Sequence, residues 1–215
     1  DRKETAFVIG DTPMRLTSDA TSIKNWASNY AVAGENGEEG LTSSGFDLGL
    51  WYPGGCLTTN ITGENVVQPT SHIMLRTMGY NDQVAYEWFA PAGFNRGLVN
   101  NATSVGYIDA EGEYVPEVLN QGQRDVLYTN KINPIAFMPG RGLTVWGQKT
   151  LHTITSALDR VNVSRLIAFL RRRFDDMVQP FLFEPNDEFT RTQVLSVFNS
   201  FLADMIVKRA LYDFL

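Results

Sequence analysis

The sequence predicts a mixed α/β fold in which helices cover a central mixed β-sheet. Short apolar runs bounded by Gly and Pro alternate with longer stretches of helical periodicity. The last third of the chain contains two apolar stripes with helical spacing, which predict two long amphipathic helices near the C-terminus. Elements that alternate along a chain with short connections pack as layers around a sheet.

The first part of the chain predicts short elements and one loop. The apolar run at 6–9 predicts a buried strand, and residues 19–30 predict a modest helix. Residues 34–44 are rich in Gly, Glu and Ser and nearly free of apolar side chains, which predicts a mobile loop. Residues 45–55 predict a strand that Pro53 and the glycines after it bring to an end.

The middle of the chain predicts two helices and two pairs of strands. Pro69 is placed in a first helical turn, and Gly79 marks the end of that helix. A hairpin is expected around Ala110–Gly112, and a helix from about Pro116 to Thr129. Two short strands are expected on either side of the Pro-Gly-Arg-Gly bend at 139–142.

The two long helices are predicted on either side of a short buried strand at Phe181–Phe183. Asn162 is the predicted N-cap of the first helix, and Pro180 ends it. Asn186 is the predicted N-cap of the second helix. The predicted apolar stripes are Val163, Leu166, Ile167, Leu170, Phe174, Met177 and Val178 in the first helix, and Val194, Val197, Phe198, Phe201, Leu202 and Met205 in the second.

Length and composition favour one domain over residues 1–215, with residues 1–44 peripheral to it. The net charge of −6 argues against nucleic acid as a partner, because phosphate contacts require a basic surplus. No apolar run is long enough to predict membrane insertion. Because Cys56 is the single cysteine, an internal disulfide is excluded. The chain begins with Asp1, which predicts a fragment or a processed product.

No catalytic, cofactor-binding or metal site is predicted. The two histidines, His72 and His152, stand in no known ligand or triad spacing. The glycines at 139–147 fit neither nucleotide-binding fingerprint. Cys56 has no neighbouring base in the sequence, so we expect an inert thiol.

Two acidic clusters suggest alternative chemistries. The cluster at 109–113 could form a calcium loop, but it lacks the required glycine and closing Glu, so a solvated hairpin is favoured. The cluster at 184–188 could supply paired carboxylates to a hydrolase, but helix capping explains it better. The acidic residues are Asp109, Glu111 and Glu113 in the first cluster, and Glu184, Asp187 and Glu188 in the second.

The basic cluster Arg171, Arg172 and Arg173 has two interpretations. Asp175 and Asp176 stand four residues after Arg171 and Arg172, which favours i,i+4 pairs on a solvated helix face. A docking patch for an acidic partner is the alternative, since Arg is enriched at protein interfaces.

A series of phrases over roughly residues 45–210 resembles the contractile tail sheath family of long-tailed phages, R-type pyocins and type VI secretion sheaths. The family often has a second tryptophan where this chain has Gly54, and its members are generally longer at both ends. The chain therefore resembles a sheath core trimmed at both ends. The phrases are GLWYPGG at 49–55, QPTSHIMLRTM at 68–78, WFAPAGFNRG at 88–97, NPIAFMPGRGLTVWGQKTL at 133–151, DRVNVSRL at 159–166 and FLFEPNDEFTR at 181–191.

The resemblance implies a structural subunit of a virion tail sheath, assembled in the host cytoplasm, with no enzymatic activity and no cofactor. The implied partners are copies of itself in helically stacked six-membered rings, the tail tube protein, and baseplate and terminator proteins. Two alternatives are an adaptor or baseplate-like component of an injection machine and, less favoured, a carboxylate-based hydrolase. The expected tube or subunit contacts are Arg171, Arg172, Arg173, Arg191, Asp204 and Lys208.

Overall fold

The computed structural model describes residues 5–28 and 45–214. These residues divide into two compact units, of which the first is Phe7–Ser164 and the second contains Thr5, Ala6 and the described residues from Arg165 onward. The single domain over 1–215 stays a prediction, and the predicted loop at 34–44 lies outside the described residues.

Among its described residues, the first unit contains eight strands and four α-helices, and α5 begins at its end. Its elements in chain order are β1 (Val8–Asp11), α1 (Ala20–Ser28), β2 (Leu48–Tyr52), β3 (Gly55–Thr59), β4 (Asn65–Pro69), α2 (Ser71–Val84), α3 (Gly93–Arg96), β5 (Ser104–Ile108), β6 (Tyr114–Pro116), α4 (Gln121–Thr129), β7 (Ile132–Met138) and β8 (Gly142–Val145), and they are followed by α5 (Val161–Val178) and α6 (Glu188–Val207).

The first sheet is mixed, with strand order β1-β2-β7-β8. β1, β2 and β7 are parallel, and β8 returns antiparallel to β7. Because side chains alternate across a strand, Leu50 and Tyr52 pack with α1 and α4 on one face, and Trp51 packs with α2 on the other. The predicted mixed sheet covered by helices is confirmed.

A second sheet, which the sequence did not predict as a separate layer, is antiparallel throughout with strand order β4-β3-β5-β6. Its β5–β6 hairpin matches the predicted turn at Ala110–Gly112. The β3–β4 hairpin was missed because 60–64 is a polar turn closed by its own side chains: the backbone N–H of Glu64 donates to Asn60 Oδ1 at 2.9 Å.

Asn133, in β7, joins its own strand to β2 and to the segment that follows β8. Its Nδ2 donates to the carbonyls of Leu50 and Lys149 at 2.9 and 2.8 Å, and its Oδ1 accepts from the Lys149 N–H at 2.6 Å. Asn133 is fully buried, so this set of hydrogen bonds satisfies a side chain that would otherwise be costly to bury. Gly147 approaches so closely that an added Cβ would lie 2.8 Å from Asn133 Oδ1.

The second unit contains most of α5 and all of α6, which pack through aromatic rings. Phe174 lies 5.1 Å from Phe198 and 5.9 Å from Phe201 between ring centroids, and Phe169 lies 6.5 Å from Phe201. The ring pairs show that the two helices run antiparallel. The predicted pair of long C-terminal helices is confirmed, although Val197 of the predicted stripe is 40% exposed.

Three strand and helix boundaries predicted in the first unit were wrong. β1 begins at Val8 instead of residue 6 and is an edge strand whose Val8 is exposed, so it is not a buried strand. Pro69 ends β4, and α2 continues beyond Gly79 to Val84. α4 begins at Gln121 instead of Pro116, because Asn120 and Gln123 form a capping box there.

Three predictions near the C-terminus were also wrong. Asn162 lies inside α5, where its side chain donates to the Trp88 carbonyl, so it is not the N-cap. Phe181 ends a short 3₁₀ turn, and Phe183 is fully exposed, so 181–183 is not a buried strand. The N-cap of α6 is Asp187, whose carboxylate accepts from the Thr190 N–H, instead of Asn186.

Candidate assembly surfaces

The second unit exposes large apolar side chains on α6 and on the turn before it. Phe183 is fully exposed, and Phe189 and Leu195 are 70% and 61% exposed. Of the α6 residues, Met205 is the one that is fully buried. Exposed apolar surface of this kind marks an interaction site, because solvating it is unfavourable. The other exposed apolar residues in this part of the chain are Val178, Leu182, Val197, Val207 and Tyr212.

A groove of about 500 Å³ lies between the turn that precedes α6 and the first turns of that helix. Arg191 and Glu184 are among the residues that line it, and the Arg191 Nε donates to Asn186 Oδ1 at 2.8 Å. The groove combines an apolar wall with one fixed guanidinium, which suits a partner segment carrying both apolar and acidic groups. Its lining residues are Phe181, Glu184, Pro185, Asn186, Thr190, Arg191, Val194 and Leu195.

The six predicted contact residues lie on α5 and α6 but do not form one cluster. The Arg173 guanidinium lies 5.4 Å from the centre of the Phe169 ring, and Arg172 is exposed on the same helix as Arg171. Asp204 and Lys208 form a salt bridge of 2.6 Å at the far end of α6, where they largely neutralise each other.

Arg191 stands apart from that salt bridge. It lies thirteen residues before Asp204 in the same helix, so about 20 Å of helix separates it from the pair. The predicted contacts are therefore two separate positions on α6 and a basic stretch on α5, and their role as contacts stays a prediction.

The side chains considered for catalysis have structural roles or stand alone. Cys56 is fully buried, and burial together with the charge of Asp11 raises the pKa of its thiol to about 11, so it is not a nucleophile at neutral pH. His72 is exposed on α2, while the ring of His152 packs against Phe46 at 6.2 Å. Among the described residues no group of His, Cys, Asp and Glu could hold a metal ion.

Both acidic clusters serve local structure. Asp109 Oδ1 accepts from the N–H groups of Glu111 and Glu113 at 3.1 and 2.8 Å, which is a solvated hairpin and not a calcium loop. The hydrogen bond from the Thr190 N–H holds the pKa of the Asp187 carboxyl below its usual range, as expected for an N-cap.

Two features of the first unit were missed by sequence reasoning because distant segments build them. The rings of Phe94 and Trp146 lie 5.0 Å apart at the surface over β8, with Arg141 5.3 Å from the Phe94 ring. A polar pocket of about 520 Å³ includes His72 and Arg76 of α2. The spacing of those two residues on one helix was the only sequence signal for the pocket.

No helix of the described residues is both long and apolar enough to span a bilayer.

Curated relatives share sequence with this chain over more than half of its length. A tail sheath protein of Vibrio phage KVP40 is 37% identical over 135 residues, or 63% of this chain. Tail sheath proteins of Enterobacteria phage T4 and Salmonella phage ViI are 35% and 30% identical over 111 and 131 residues. The predicted resemblance to tail sheath proteins is confirmed. The aligned part spans 15–19% of the length of these tail sheath relatives, and no protein-family model matches the chain.

Chains in solved structures of contractile assemblies share the fold of this chain. A chain of the PVC sheath complex of an extracellular contractile injection system, in the contracted state, matches with a TM-score of 0.70 at 20% identity, covering 94% of this chain and 49% of that chain. A chain of the contracted helical sheath of the anti-feeding prophage matches with a TM-score of 0.67 at 20% identity, over 94% and 46% of the two chains. A chain of the baseplate of that prophage matches with a TM-score of 0.66 at 19% identity, over 94% and 45%.

Proposed function

We propose that this chain is part of a structural subunit of a contractile phage tail sheath. The subunit polymerises around a tail tube, and its contraction drives the tube through the host envelope. The observation that carries the proposal is 30–37% identity to tail sheath proteins of three phages. The shared fold with chains of two contracted sheaths supports it.

The physical basis of the proposed mechanism is stored interface energy. Copies related by a screw rotation make heterologous contacts that repeat along an axis, which is how a helical array grows. The proposed array consists of stacked six-membered rings in which strands exchanged between neighbours keep the subunits linked. Contraction moves these bodies into an array with more buried contact, so no nucleotide, catalytic residue or cofactor is needed.

The proposed partners are other copies of the subunit, the tail tube protein, and baseplate and terminator proteins. The proposed location is the tail of the virion, after assembly in the host cytoplasm. The exposed apolar residues of the second unit fit a protein that is buried in an assembly.

Electron microscopy of the purified full-length subunit, of which this chain is a part, tests the proposal. Hollow tubes or stacked rings are the expected result for a sheath subunit. A monomer or a closed small ring under every salt and protein concentration tried would refute the helical sheath. The closed ring would favour the adaptor or baseplate-like alternative, for which the match to a baseplate chain is the supporting observation.

We further propose that α6 contacts the tube in the extended sheath. Arg191→Glu is expected to reduce sheath-on-tube assembly, because it reverses the charge of the guanidinium that lines the groove. Lys24→Glu is the matched control, since it makes the same charge change at an exposed position of α1. The readout is the fraction of tubes that carry sheath in micrographs of the co-assembled proteins.

The salt-bridged pair of α6 gives a second arm of the same test. Asp204→Lys combined with Lys208→Asp keeps the pair but reverses its direction, so folding is preserved while the pattern of charge facing a tube changes. If both the Arg191→Glu and the exchanged-pair proteins coat tubes as the unchanged protein does, α6 is not the tube contact.

A further inference from the structure

The polar pocket of the first unit lies at one end of the antiparallel sheet β4-β3-β5-β6. The ends of β3 and β4, the first turns of α2 and the segment before β5 enclose about 520 Å³. Amide and hydroxyl groups line it together with two basic side chains, and no carboxylate is among its described lining residues. The lining includes Thr58, Gln68, His72, Arg76, Asn101 and Thr103.

The basic side chains of this pocket are available to an external group. His72 and Arg76 stand one helical turn apart on α2, and both are exposed. Within the described residues, the Arg76 guanidinium has no ion pair or hydrogen bond. Guanidinium and amide donors that converge on one space bind carboxylates well, because the hydrogen bonds are charge-assisted.

The opposite end of the same sheet carries the complementary charge. The β5–β6 turn, called the tip below, exposes Glu111 and Glu113. The Asp109 carboxylate accepts hydrogen bonds from the backbone N–H groups of both residues, which fixes the conformation of the turn. Residues 97–123 contain no Lys or Arg. The Glu111 and Glu113 carboxylates therefore have no basic neighbour in their own segment, and no ion pair within the described residues.

The strand register puts the two features at opposite ends of one rigid element. Leu57 pairs with Ser104 at the pocket end, and Ile108 pairs with Tyr114 at the tip end. β5 runs from one to the other over four residue steps, or about 13 Å. A contact between opposite ends of two copies leaves one pocket and one tip free, so it can repeat without closing.

We propose that the β5–β6 tip of one copy docks its Glu111 and Glu113 carboxylates into the His72–Arg76 pocket of the next copy. The net charge of −6 makes copies repel unless carboxylates are neutralised where copies meet, and this pocket supplies that neutralisation. The inference deepens the proposed self-assembly and rests on it, since it names one of the contacts that a repeating array requires.

Cross-linking of two cysteine variants tests the contact. The Thr59→Cys and Ala110→Cys chains, which keep both basic groups of the pocket and both glutamates of the tip, are mixed and treated with a short bis-maleimide. The products are identified by mass spectrometry. Cys56 is fully buried and does not compete. The expected result is a mixed dimer in about tenfold higher yield than either homodimer, which corresponds to a modest contact preference.

The control pairs the Thr59→Cys chain with Gln121→Cys, an exposed uncharged position at the start of α4. Circular dichroism verifies that each variant is folded. A mixed yield no greater than the control yield overturns the proposed contact.

Charge exchange separates a specific contact from general attraction. Adding Glu111→Lys and Glu113→Lys to the Ala110→Cys chain is expected to remove the excess of mixed dimer. Adding His72→Glu and Arg76→Glu to the Thr59→Cys chain is then expected to restore it. About 1 M salt should suppress the excess for every pair. If the exchanged charges fail to restore the yield, the proposed pairing is wrong.

Failure of the proposed contact can be told apart from failure of the proposed function, because cross-linking tests the first and electron microscopy tests the second. Tubes or rings of the unchanged protein without the mixed cross-link would refute this contact and leave the sheath proposal standing. The mixed cross-link without tubes or rings would establish the contact and count against the sheath proposal.

Discussion

At the scale of single residues, Asn133 and Gly147 depend on each other. The buried Asn133 amide bonds to Leu50 and Lys149, and this is possible because Gly147 has no side chain at the point of approach. Both positions fall within the phrase at 133–151 that resembles tail sheath proteins. The structure therefore gives a packing reason for residue types that the sequence presents only as a pattern.

Gly147→Ala is expected to destabilise the protein by about 1–3 kcal/mol, the usual cost of overpacking a well-filled core. The added Cβ would lie 2.8 Å from Asn133 Oδ1 and 3.0 Å from its Cα, so the Asn133 amide must move out of its hydrogen-bonded position. Gly79→Ala is the matched control, because nothing lies within 4 Å of that position and a helical Gly to Ala change stabilises by about 0.5–1 kcal/mol. Urea unfolding measures the change in the free energy of unfolding for each variant. Equal changes for Gly147→Ala and Gly79→Ala would contradict the proposed packing.

At the scale of elements, the start of α6 shows how a boundary is chosen. Asn186, Asp187 and Glu188 are all acceptable near a helix N-terminus, so composition alone did not select the cap. The structure selects Asp187, whose Oδ1 lies 2.8 Å from the Thr190 nitrogen. Asn186 instead accepts from Arg191.

Asp187→Ala is expected to lower the thermal midpoint and helicity of the second unit more than Asn186→Ala does. The pKa of Asp187 is lower in the folded chain than in the unfolded chain, so its ionised cap stabilises α6 above the ordinary Asp pKa of about 3.9. That contribution is lost as the pH falls through the lowered pKa. Circular dichroism from pH 7 to pH 2 checks this, and a midpoint difference between Asp187→Ala and the unchanged protein that does not shrink as the pH falls would contradict it.

At the scale of the whole molecule, both clusters of buried hydrophobic residues lie in the first unit, whereas the second unit exposes much apolar surface. The rings of Phe174, Phe198 and Phe201 pack together, whereas Phe189 and Leu195 are exposed on the same helix pair. A subunit of an array would bury such side chains against neighbours.

Phe189→Ala combined with Leu195→Ala is therefore expected to reduce assembly without unfolding the chain. The change in unfolding free energy should stay within about 0.5 kcal/mol, as is usual for exposed positions. Phe198→Ala is the contrast, since it removes a packed ring and should cost about 2 kcal/mol or more. Sedimentation measures assembly and urea unfolding measures stability; undiminished assembly of the double variant would exclude this surface as a contact.

The sequence by itself determined the features that depend on local pattern. The hairpin at Ala110–Gly112, the strands around 139–142 and the two long C-terminal helices follow from turn chemistry and periodicity, which neighbouring residues set. The tail sheath resemblance also came from the sequence, because its phrases keep their order.

Only the tertiary structure decided the features built from distant segments. It showed the second sheet, in which the polar turn at 60–64 joins two strands, and it placed the pocket around Arg76 and the tip at Glu111 at opposite ends of that sheet. It also turned the predicted strand at Phe181–Phe183 into an exposed turn. The physical reason is that strand pairing and burial depend on residues far away in sequence, whereas capping and periodicity do not.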